Sequence, residues 1–510
     1  MSFSPWTSLA IAAACLFALH ARGATETALP SEVSTGVLKG LQAPVSSERP
    51  WQPPDLGGFA NVLRVRDEPE VDAQKDYGLA DLIDLAERAN PETKVAWEHA
   101  RQAAAAVGLA QSEYYPLLAL QASASEAREP VPLPLTPTRA GYLDLQDQQA
   151  KPVATLEWVL LDFGRRQAAV LAAKNQLLAA NFGFNARHQQ IVFKVQSAFY
   201  EFSKVRGRIA VAQSSVDSAR QVQAAAEARL HQGLAAIPDV ALARQQAAQA
   251  LFDLEDVAAR ERDAQVMLAD SMGILPTVSL RVVDFSKLSV PTNLDDSVEQ
   301  VIERTLEQRP DLMAKVAVLR EKEAEIRRAR RAYYPTLALQ GEAGETFERS
   351  QMRVSGNTLP WESTAQPAWS VGLALKWSLF DGGSRQRKLE MARAATAAAQ
   401  RELDDARDQA ISQVWQYYSD TKMAIRRLGV AAALVEASEQ SYQQTFAGYQ
   451  HGLTSLVDVL AARRDLSQAR YTQLDTRATL LESAAALAFA SGDLGPKRLN
   501  RNPGIPNSAP

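Results

Sequence analysis

The chain reads GRRQAAVLAAKNQLLAANFGFNARHQQIVFKVQSAFYEFSKVRGRIAVAQSSVDSARQVQAAAEARLHQG over residues 164–233. This stretch contains no proline, and its apolar side chains recur at helical spacing, as at Ile191, Val195 and Phe199. At about 1.5 Å of rise per residue, a continuous helix of this length would measure roughly 100 Å. No single globular core is that long. The sequence therefore predicts that the helix packs sideways against other long helices, as in a coiled coil or bundle.

The same pattern occurs twice in the chain. Residues 79–273 recur as residues 298–492 at a constant offset of 219, with no insertion or deletion between the matched positions. A repeat of this size is a structural half, so the fold is predicted to contain two equivalent halves related by pseudo-symmetry. The match is anchored by these pairs: Pro91 and Pro310, Trp158 and Trp377, Asp162 and Asp381, Gly233 and Gly452, Asp239 and Asp458, Gly273 and Gly492.

The segments outside the repeats differ from them in composition. Residues 1–23 hold an apolar run followed by small residues and are predicted to be a cleaved export signal, since the run is too short to span a bilayer comfortably. The only cysteine, Cys15, is interpreted as a small apolar residue of this signal rather than as a lipidation site. Residues 24–76 and 493–510, rich in proline and polar residues, are predicted to be a disordered arm and tail, and residues 274–297 an inter-repeat linker.

Composition argues against several classes of function. The formal charge of −4, without a basic block, argues against a nucleic-acid partner. The five histidines show no metal-ligand spacing, and no other cysteine accompanies Cys15. Glycine-rich phosphate loops and nucleophile elbows do not occur in the sequence. We therefore expect no enzymatic activity, no metal and no cofactor.

Between the helices, the apolar period changes from about 3.6 to 2, which is typical of β-strands with one apolar face. Four such strands of about ten residues are predicted, two in each repeat. This is the length and alternation of a membrane-spanning strand, although a strand of a soluble sandwich is the alternative for any one segment. The residues predicted to face lipid are Leu156, Trp158, Leu375 and Trp377, with Glu157 and Lys376 on the opposite face.

The number of strands has a consequence for assembly. Four strands are too few to close a barrel, and an open sheet edge is not tolerated in the hydrocarbon layer. The sequence therefore predicts that the chain oligomerises. The alternative class is a secreted, non-transporting coiled-coil scaffold, in which the polar face of each strand would be an ordinary protein surface.

The order of helix, two strands, long helix and helix in each repeat resembles the TolC family of outer-membrane factors. The resemblance covers about residues 79–494 and rests on Asn-Pro-Glu at 90–92, Arg-Pro-Asp at 309–311, Tyr-Tyr-Pro before each first strand, Leu-Asp-Phe-Gly at 161–164 and Phe-Asp-Gly-Gly at 380–383. It implies a homotrimer with one twelve-stranded transmembrane β-barrel, four strands per chain, continued by an α-helical coiled-coil tunnel into the periplasm.

The resemblance also implies partners and a role. It places the chain in the outer membrane, where a periplasmic adaptor and an inner-membrane ABC or RND pump would deliver cargo to it. The cargo could be a protein, as in type I secretion, or a small molecule, as in efflux. The sequence leaves both open.

A candidate entrance follows from the same resemblance, which places the turns after the long helices at the periplasmic tip. Asp458 matches the first aspartate of the family's entrance ring, whereas Ala461 stands at the position of the second. Asp239 and Tyr449 match the aspartate and tyrosine of the family's gate bond, while Thr454 stands where an arginine is often found. These differences imply a gate that is looser or differently bonded.

Helix capping is a local alternative for the same aspartates, and it is compatible with a gate. Ser455 and Asp458 have the spacing of a capping box, and Asp239 lies in a first helical turn, where negative charge suits the helix dipole. Asp162 and Asp381, just before the long helices, are likewise predicted to cap them, with glycine tolerating the tight turn.

Overall fold

The computed structural model describes residues 72, 74–136, 139–277, 280–283, 288–354 and 357–494. The first half contains β1 (Asp76–Tyr77), α1 (Leu79–Ala89), α2 (Pro91–Ser112), β2 (Leu117–Thr136), β3 (Arg139–Leu161), α3 (Arg165–His231) and α4 (Ile237–Met272). The second contains β4 (Arg281–Val282), α5 (Val298–Gln308), α6 (Pro310–Arg331), β5 (Thr336–Val354), β6 (Asn357–Thr358), β7 (Glu362–Lys376), α7 (Ser384–Gln450) and α8 (Leu456–Ala490).

Both long helices have the predicted extent, at 67 residues each. The prediction of two equivalent halves is confirmed, because each half contains two short helices, two long strands, a long helix and a returning helix in the same order. The predicted signal peptide, nearly all of the predicted arm and the tail beyond residue 494 lie outside the described residues. At the end of the arm, Asp76 pairs in parallel with Arg281 of the linker, and Tyr77 pairs with Val282.

The predicted caps of the long helices are confirmed. Asp162 accepts hydrogen bonds from the backbone N–H of Arg166 at 2.8 Å and of Gly164 at 3.2 Å. Asp381 binds the matching N–H groups of the second half. Gly164 has φ +90°, a left-handed conformation that glycine adopts without a steric penalty, so the chain can turn from strand into helix at this residue.

The proline motifs near the start of each half break the first helix in two. Asn90 caps α2 by accepting the N–H of Glu92, and its amide donates to the carbonyl of Ser271 at the end of α4. A Cβ atom on Gly273 would lie 2.9 Å from the Cα of Asn90, so only glycine allows this close approach. The Asn-Pro break is therefore the place where α4 docks against the start of its own repeat.

The helices form a layer with two open ends. Helix α3 contacts α2 and α4 on one side and α6 and α8 on the other, and α7 contacts α6 and α8. The order is thus α2–α3–α6–α7 near the strands and α4–α3–α8–α7 near the turns. Apolar packing holds the layer together, and its main cluster includes Leu82, Val195, Phe199, Leu268 and Leu481. Among the described residues, no α-helix combines the length and apolarity needed to cross a membrane.

The four long strands form one antiparallel sheet in the order β2–β3–β5–β7, with β6 paired to the far end of β5. Strands β2 and β7 are its edges. The strands have 20, 23, 19 and 15 residues, so the prediction of about ten residues was wrong. The predicted strands match only the half of each strand next to the helices, and the pairing continues beyond them through charged and polar residues such as Arg128 with Gln146 and Glu348 with Gln149. A period-2 search therefore missed the far half.

Candidate channel surface and entrance

The strand register places the predicted lipid-facing residues on one surface. Leu156 pairs with Gly341, Trp158 with Leu339, and Leu375 with Leu337, and directly paired residues point to the same side of a sheet. Leu156, Trp158 and Leu375 therefore share a face. Trp377 follows Lys376, the last residue of β7. Glu157 pairs with Gln340 on the opposite face.

The edge strand β7 shows how strongly the two faces differ. Its residues Trp369, Val371, Leu373 and Leu375 are all highly exposed on one face. Between them, Ser370, Gly372, Ala374 and Lys376 occupy the other face. A contiguous exposed apolar surface of this kind marks contact with a membrane or another protein.

Two tryptophans lie at the junction between sheet and helices, in matched positions. The indole N–H of Trp158 donates to the carbonyl of Tyr114 at 2.8 Å, and that of Trp377 to the carbonyl of Tyr333 at 3.0 Å. A satisfied N–H on a large apolar ring suits the boundary between lipid and water. In each half the acceptor is the backbone carbonyl of the first tyrosine of the Tyr-Tyr-Pro motif.

An ion pair behind each tryptophan joins the helix start to the sheet. Arg166 and Asp162 approach to 3.1 Å, and each side chain is only 7% exposed. Arg166 also donates to the carbonyls of Glu113 and Leu160, and its guanidinium lies 4.7 Å from the ring centre of Tyr114. The sequence analysis missed this arginine, although its spacing of four residues from the aspartate is repeated in the second half.

The second junction has the same pair in a more open setting. Arg385 and Asp381 approach to 2.9 Å, with side-chain exposures of 15% and 26%. The guanidinium of Arg385 lies 5.2 Å from the ring centre of Tyr333. The two junctions therefore share the ion pair and the contact with a tyrosine ring, and they differ in burial.

At the other end of the helices, two hairpins meet. We call the end of α3, residues 232–236 and the start of α4 hairpin 1, and the end of α7, residues 451–455 and the start of α8 hairpin 2. An apolar cluster joins them, and its buried members are Val222, Ala226, Val240, Ala243, Tyr449, Leu456 and Val459. All three predicted entrance residues lie at these hairpins.

Asp458 is exposed and forms the predicted capping box. Its carboxylate accepts the N–H of Ser455 at 3.2 Å and the hydroxyl of Ser455 at 2.7 Å, while its own N–H donates to that hydroxyl at 3.2 Å. The hydrogen bond from the Ser455 hydroxyl is the main reason that the pKa of Asp458 is lowered. Within one chain, Asp458 is therefore a stabilised anion at a helix start.

Asp239 and Tyr449 lie near each other, but among the described residues no hydrogen bond joins them. Asp239 accepts the N–H of Ala236 at 3.2 Å, which caps α4. Tyr449 is 4% exposed, and its hydroxyl has no hydrogen-bond partner among the described residues. Burial raises the pKa of Tyr449, the charge of Asp239 adds to that rise, and Arg229 opposes it.

Hairpin 2 has Thr454 at the position where the resemblance leads us to expect an arginine, and Arg229 of hairpin 1 makes a contact between the hairpins. The Thr454 hydroxyl donates to the carbonyl of Thr445 at 2.8 Å, so it bonds within its own hairpin. Arg229 of hairpin 1 instead reaches across and donates to the carbonyl of Tyr449. The sequence analysis missed this residue because an arginine in a last helical turn usually serves only its own helix.

The turns also expose four apolar side chains. Leu234 and Ile237 lie on hairpin 1, and Leu453 and Val457 on hairpin 2, all of them more than half exposed. Two of them, Leu234 and Leu453, are equivalent in the repeat. The tip therefore presents apolar groups in both halves.

An open amphipathic sheet at one end of a long helix layer, with paired hairpins at the other, defines a subunit of a membrane channel. The family model described as outer membrane efflux protein matches residues 82–274 and 301–493, which are again two segments offset by 219. The chain belongs to this outer membrane efflux protein family. It is thus a transport channel protein of the outer membrane that extends into the periplasm.

Individual relatives agree with the family assignment. Protein CyaE of Bordetella pertussis is 28% identical over 435 residues, which cover 85% of this chain and 88% of that protein. Outer membrane protein TolC of Vibrio cholerae is 25% identical over 344 residues, covering 66% and 73%. The solved structure of the outer-membrane channel OprN is 21% identical and superimposes with a TM-score of 0.70 over 84% of this chain and 96% of that one.

Proposed function

We propose that three copies of this chain form an export duct through the outer membrane, which receives cargo from an inner-membrane ABC or RND pump through a periplasmic adaptor. Each copy would contribute four strands to a twelve-stranded barrel and a helix layer to a tunnel. The observation that carries the proposal is that the sheet and the helix layer of one protomer each have two unpaired edges.

The open sides are complementary in position. Edge strand β2 follows α2 on one side, and edge strand β7 precedes α7 on the other. The helices at these sides expose large apolar residues, among them Trp97 and Leu109 of α2 and Met391 and Val430 of α7. A contact between one side of a protomer and the opposite side of the next is heterologous, and it closes into a ring when the rotation permits. Closure also removes both sheet edges.

A polar interior is consistent with a water-filled duct. On the sheet, the face opposite the apolar one carries Lys151 and Glu342, which form an ion pair at 3.3 Å. One face of the helix layer contains a groove between α4 and α7, with a volume of about 900 Å³. The charged residues that line it are Lys194, Glu201, Asp270, Asp420, Arg427, Asp475 and Glu482. We propose that both polar surfaces face the lumen and that Leu156, Trp158, Leu375 and Trp377 face lipid.

The hairpins are the proposed entrance and docking point. Asp239, Tyr449 and Asp458 would narrow the duct there. The exposed Leu234 and Leu453 would pack against the adaptor, since exposed apolar groups in matched positions favour a protein partner.

The sequence contains no phosphate-binding loop, so we propose that the pump supplies the energy. The scheme admits either a protein or a small molecule as cargo, because the lumen chemistry selects neither.

The test is to extract the full chain from outer membranes, crosslink it in mild detergent and reconstitute it in planar bilayers. We expect crosslinking to stop at three chains and the trimer to conduct ions. A coiled-coil scaffold would instead wash off the membrane at high salt or high pH and would not conduct. A stable monomer in lipid would also refute the proposed assembly.

Asp458→Asn is expected to reduce cation selectivity and to weaken block by multivalent cations in single-channel recordings. Three Asp458 carboxylates around a narrow lumen would focus a negative field and would raise one another's pKa, opposing the lowering seen within one chain. The control is Ser455→Ala, which removes the capping hydroxyl and keeps the charge. Ser455→Ala should lose about 1 kcal/mol of stability, whereas Asp458→Asn should lose less, because an amide oxygen still accepts the N–H of Ser455. Unchanged selectivity in Asp458→Asn would leave Asp458 with the capping role alone.

A further inference from the structure

Arg229 is placed to connect the two hairpins at their turns. We infer that this arginine is the positioning residue that holds hairpin 2 against hairpin 1 and thereby sets the closed state of the entrance. The inference rests on the proposed function, because a closed state has meaning only for a duct. In this arrangement, an arginine of the first repeat takes the role of the arginine that is absent at position 454 of the second.

The contacts of Arg229 reach both turns. Its Nη1 donates to the carbonyl of Tyr449 in hairpin 2, and its Nη2 donates to the carbonyl of Leu234 in hairpin 1 at 3.3 Å. Its guanidinium carbon lies 4.9 Å from the ring centre of Tyr449, within the range of a cation–π contact. A Cβ atom on Gly452 would lie 3.6 Å from Nη1, so the guanidinium rests directly on the turn of hairpin 2.

Electrostatics favour a cation at this point. Helix α3 ends at His231 and α7 ends at Gln450, so two helix C-termini meet here with the negative ends of their dipoles. A guanidinium presents donors in a fixed fork and can bind one carbonyl from each hairpin at once, here those of Tyr449 and Leu234. Arg229 therefore offsets a repulsion between helix ends that would otherwise separate the hairpins.

The contact has no counterpart in the other repeat. The position equivalent to Arg229 is Gly448, where a Cβ atom would lie 3.0 Å from the Cγ2 of Thr454. Thr454 occupies that space and bonds to Thr445 of its own hairpin. Thr454 thus bonds within hairpin 2, whereas Arg229 of hairpin 1 donates the hydrogen bond that joins the two turns.

Further along the helices, other polar contacts join α3 to α8. Arg463 of α8 donates to the hydroxyl of Ser215 at 3.0 Å, and Arg470 of α8 donates to the hydroxyl of Ser214 at 2.9 Å. These bonds lie within the helix layer and away from the turns. A movement that parts the turns would therefore break the bonds of Arg229 and could leave those of Arg463 and Arg470 intact.

The Nε of Arg229 shows that the contact between the hairpins is not fully bonded. This atom is buried and has no hydrogen-bond partner among the described residues. An unpaired buried donor costs free energy, and water would satisfy it once the hairpins part. The same residue thus holds the turns together and lowers the cost of separating them.

The test compares variants of the full chain as reconstituted trimers. Arg229→Met removes the charge and keeps most of the side-chain volume, and we expect it to raise closed-state conductance several-fold. The matched control is Arg244→Met, which removes an arginine that is bonded to Glu227 within hairpin 1. We expect the control to conduct like the unmodified chain. Arg229→Lys should give an intermediate conductance, because one ammonium cannot match the fork.

Tyr449→Phe separates the arginine from a gate bond made by the tyrosine hydroxyl. Phenylalanine keeps the ring and the carbonyl that Arg229 contacts, so we expect a smaller rise in conductance than in Arg229→Met. A large rise in Tyr449→Phe together with no rise in Arg229→Met would overturn the inference. Equal conductance in Arg229→Met and Arg244→Met would also overturn it and would leave the proposed duct intact.

Hydrogen exchange provides a readout that does not depend on conduction. Loss of the connection should speed amide exchange in residues 447–455 of hairpin 2 in Arg229→Met, and this effect should be missing in Arg244→Met. Unchanged exchange there would count against the inference. If the unmodified trimer never conducted, the proposed duct would fail and the exchange result would still decide the role of Arg229. If Arg229→Met did not assemble, Arg229→Lys would supply the same two measurements.

Discussion

Leu373→Arg should destabilise the membrane-inserted protein by about 2–4 kcal/mol, the cost of an arginine on the lipid face near the bilayer midplane. Trp369 and Trp377 are eight residues apart along the chain, or about 26 Å at the rise of a strand, and Leu373 lies midway between them. If the tryptophans mark the two interfaces of the membrane, the midplane lies at Leu373. Leu375, next to Trp377, should then tolerate arginine better.

The control for this prediction is the opposite face of the same strand. Ala374→Arg places the same charge one residue further on, where Lys376 already lies on the same side. It should cost less than about 1 kcal/mol, because a lumen-facing arginine stays hydrated. The comparison requires the free energy of unfolding of each variant from lipid vesicles in denaturant. Equal costs at 373 and 374 would show that the two faces of β7 have been assigned wrongly.

Arg166→Met is expected to cost about 3–5 kcal/mol, because it leaves the buried carboxylate of Asp162 without its charged partner. The variant also removes the donor to the carbonyls of Glu113 and Leu160. Denaturant unfolding of detergent-solubilised trimers would measure the loss. The ion pair itself need not stabilise the fold, since taking two charges out of water is costly.

Two controls bear on this second prediction. Arg385→Met removes the equivalent arginine from the more exposed pair with Asp381 and should cost roughly half as much or less, because water can solvate the remaining carboxylate. Adding Asp162→Asn to Arg166→Met should recover much of the loss, because the unpaired charge is then gone. A double variant as unstable as the single one would point to the carbonyl bonds rather than to the charge.

The parts of the fold that local chemistry determines could be predicted from the sequence. The repeat, the proline-free long helices, the capping by Asp162 and Asp458 and the existence of four strands all follow from residues close together in the chain. The length of the strands could not, because charged residues such as Arg128, Glu348 and Arg349 interrupt the apolar alternation, and the far halves are held by backbone pairing across the sheet.

Contacts between elements account for the site residues that were missed. Arg229 acts on Tyr449, which is 220 residues away, and Arg166 acts on Glu113, which is 53 residues away. Patterns over a few neighbouring residues cannot predict contacts between residues so far apart in the chain. The repeat gave a clue for Arg166, since Arg385 occupies the equivalent position, but it gave none for Arg229, whose equivalent is Gly448.

The extra strand length has a consequence at the cell surface. With the helices in the periplasm, we expect the far half of each strand to lie outside the bilayer, where up to ten further residues of paired strand add about 33 Å of strand length. Cross-strand bonds stiffen this part, such as the ion pair of Arg128 with Asp144 and the contact of Arg349 with the ring of Trp361. Such a collar offers external proteases few unpaired peptide bonds. In the proposed trimer it would also present antibodies with the same rigid epitope on every subunit.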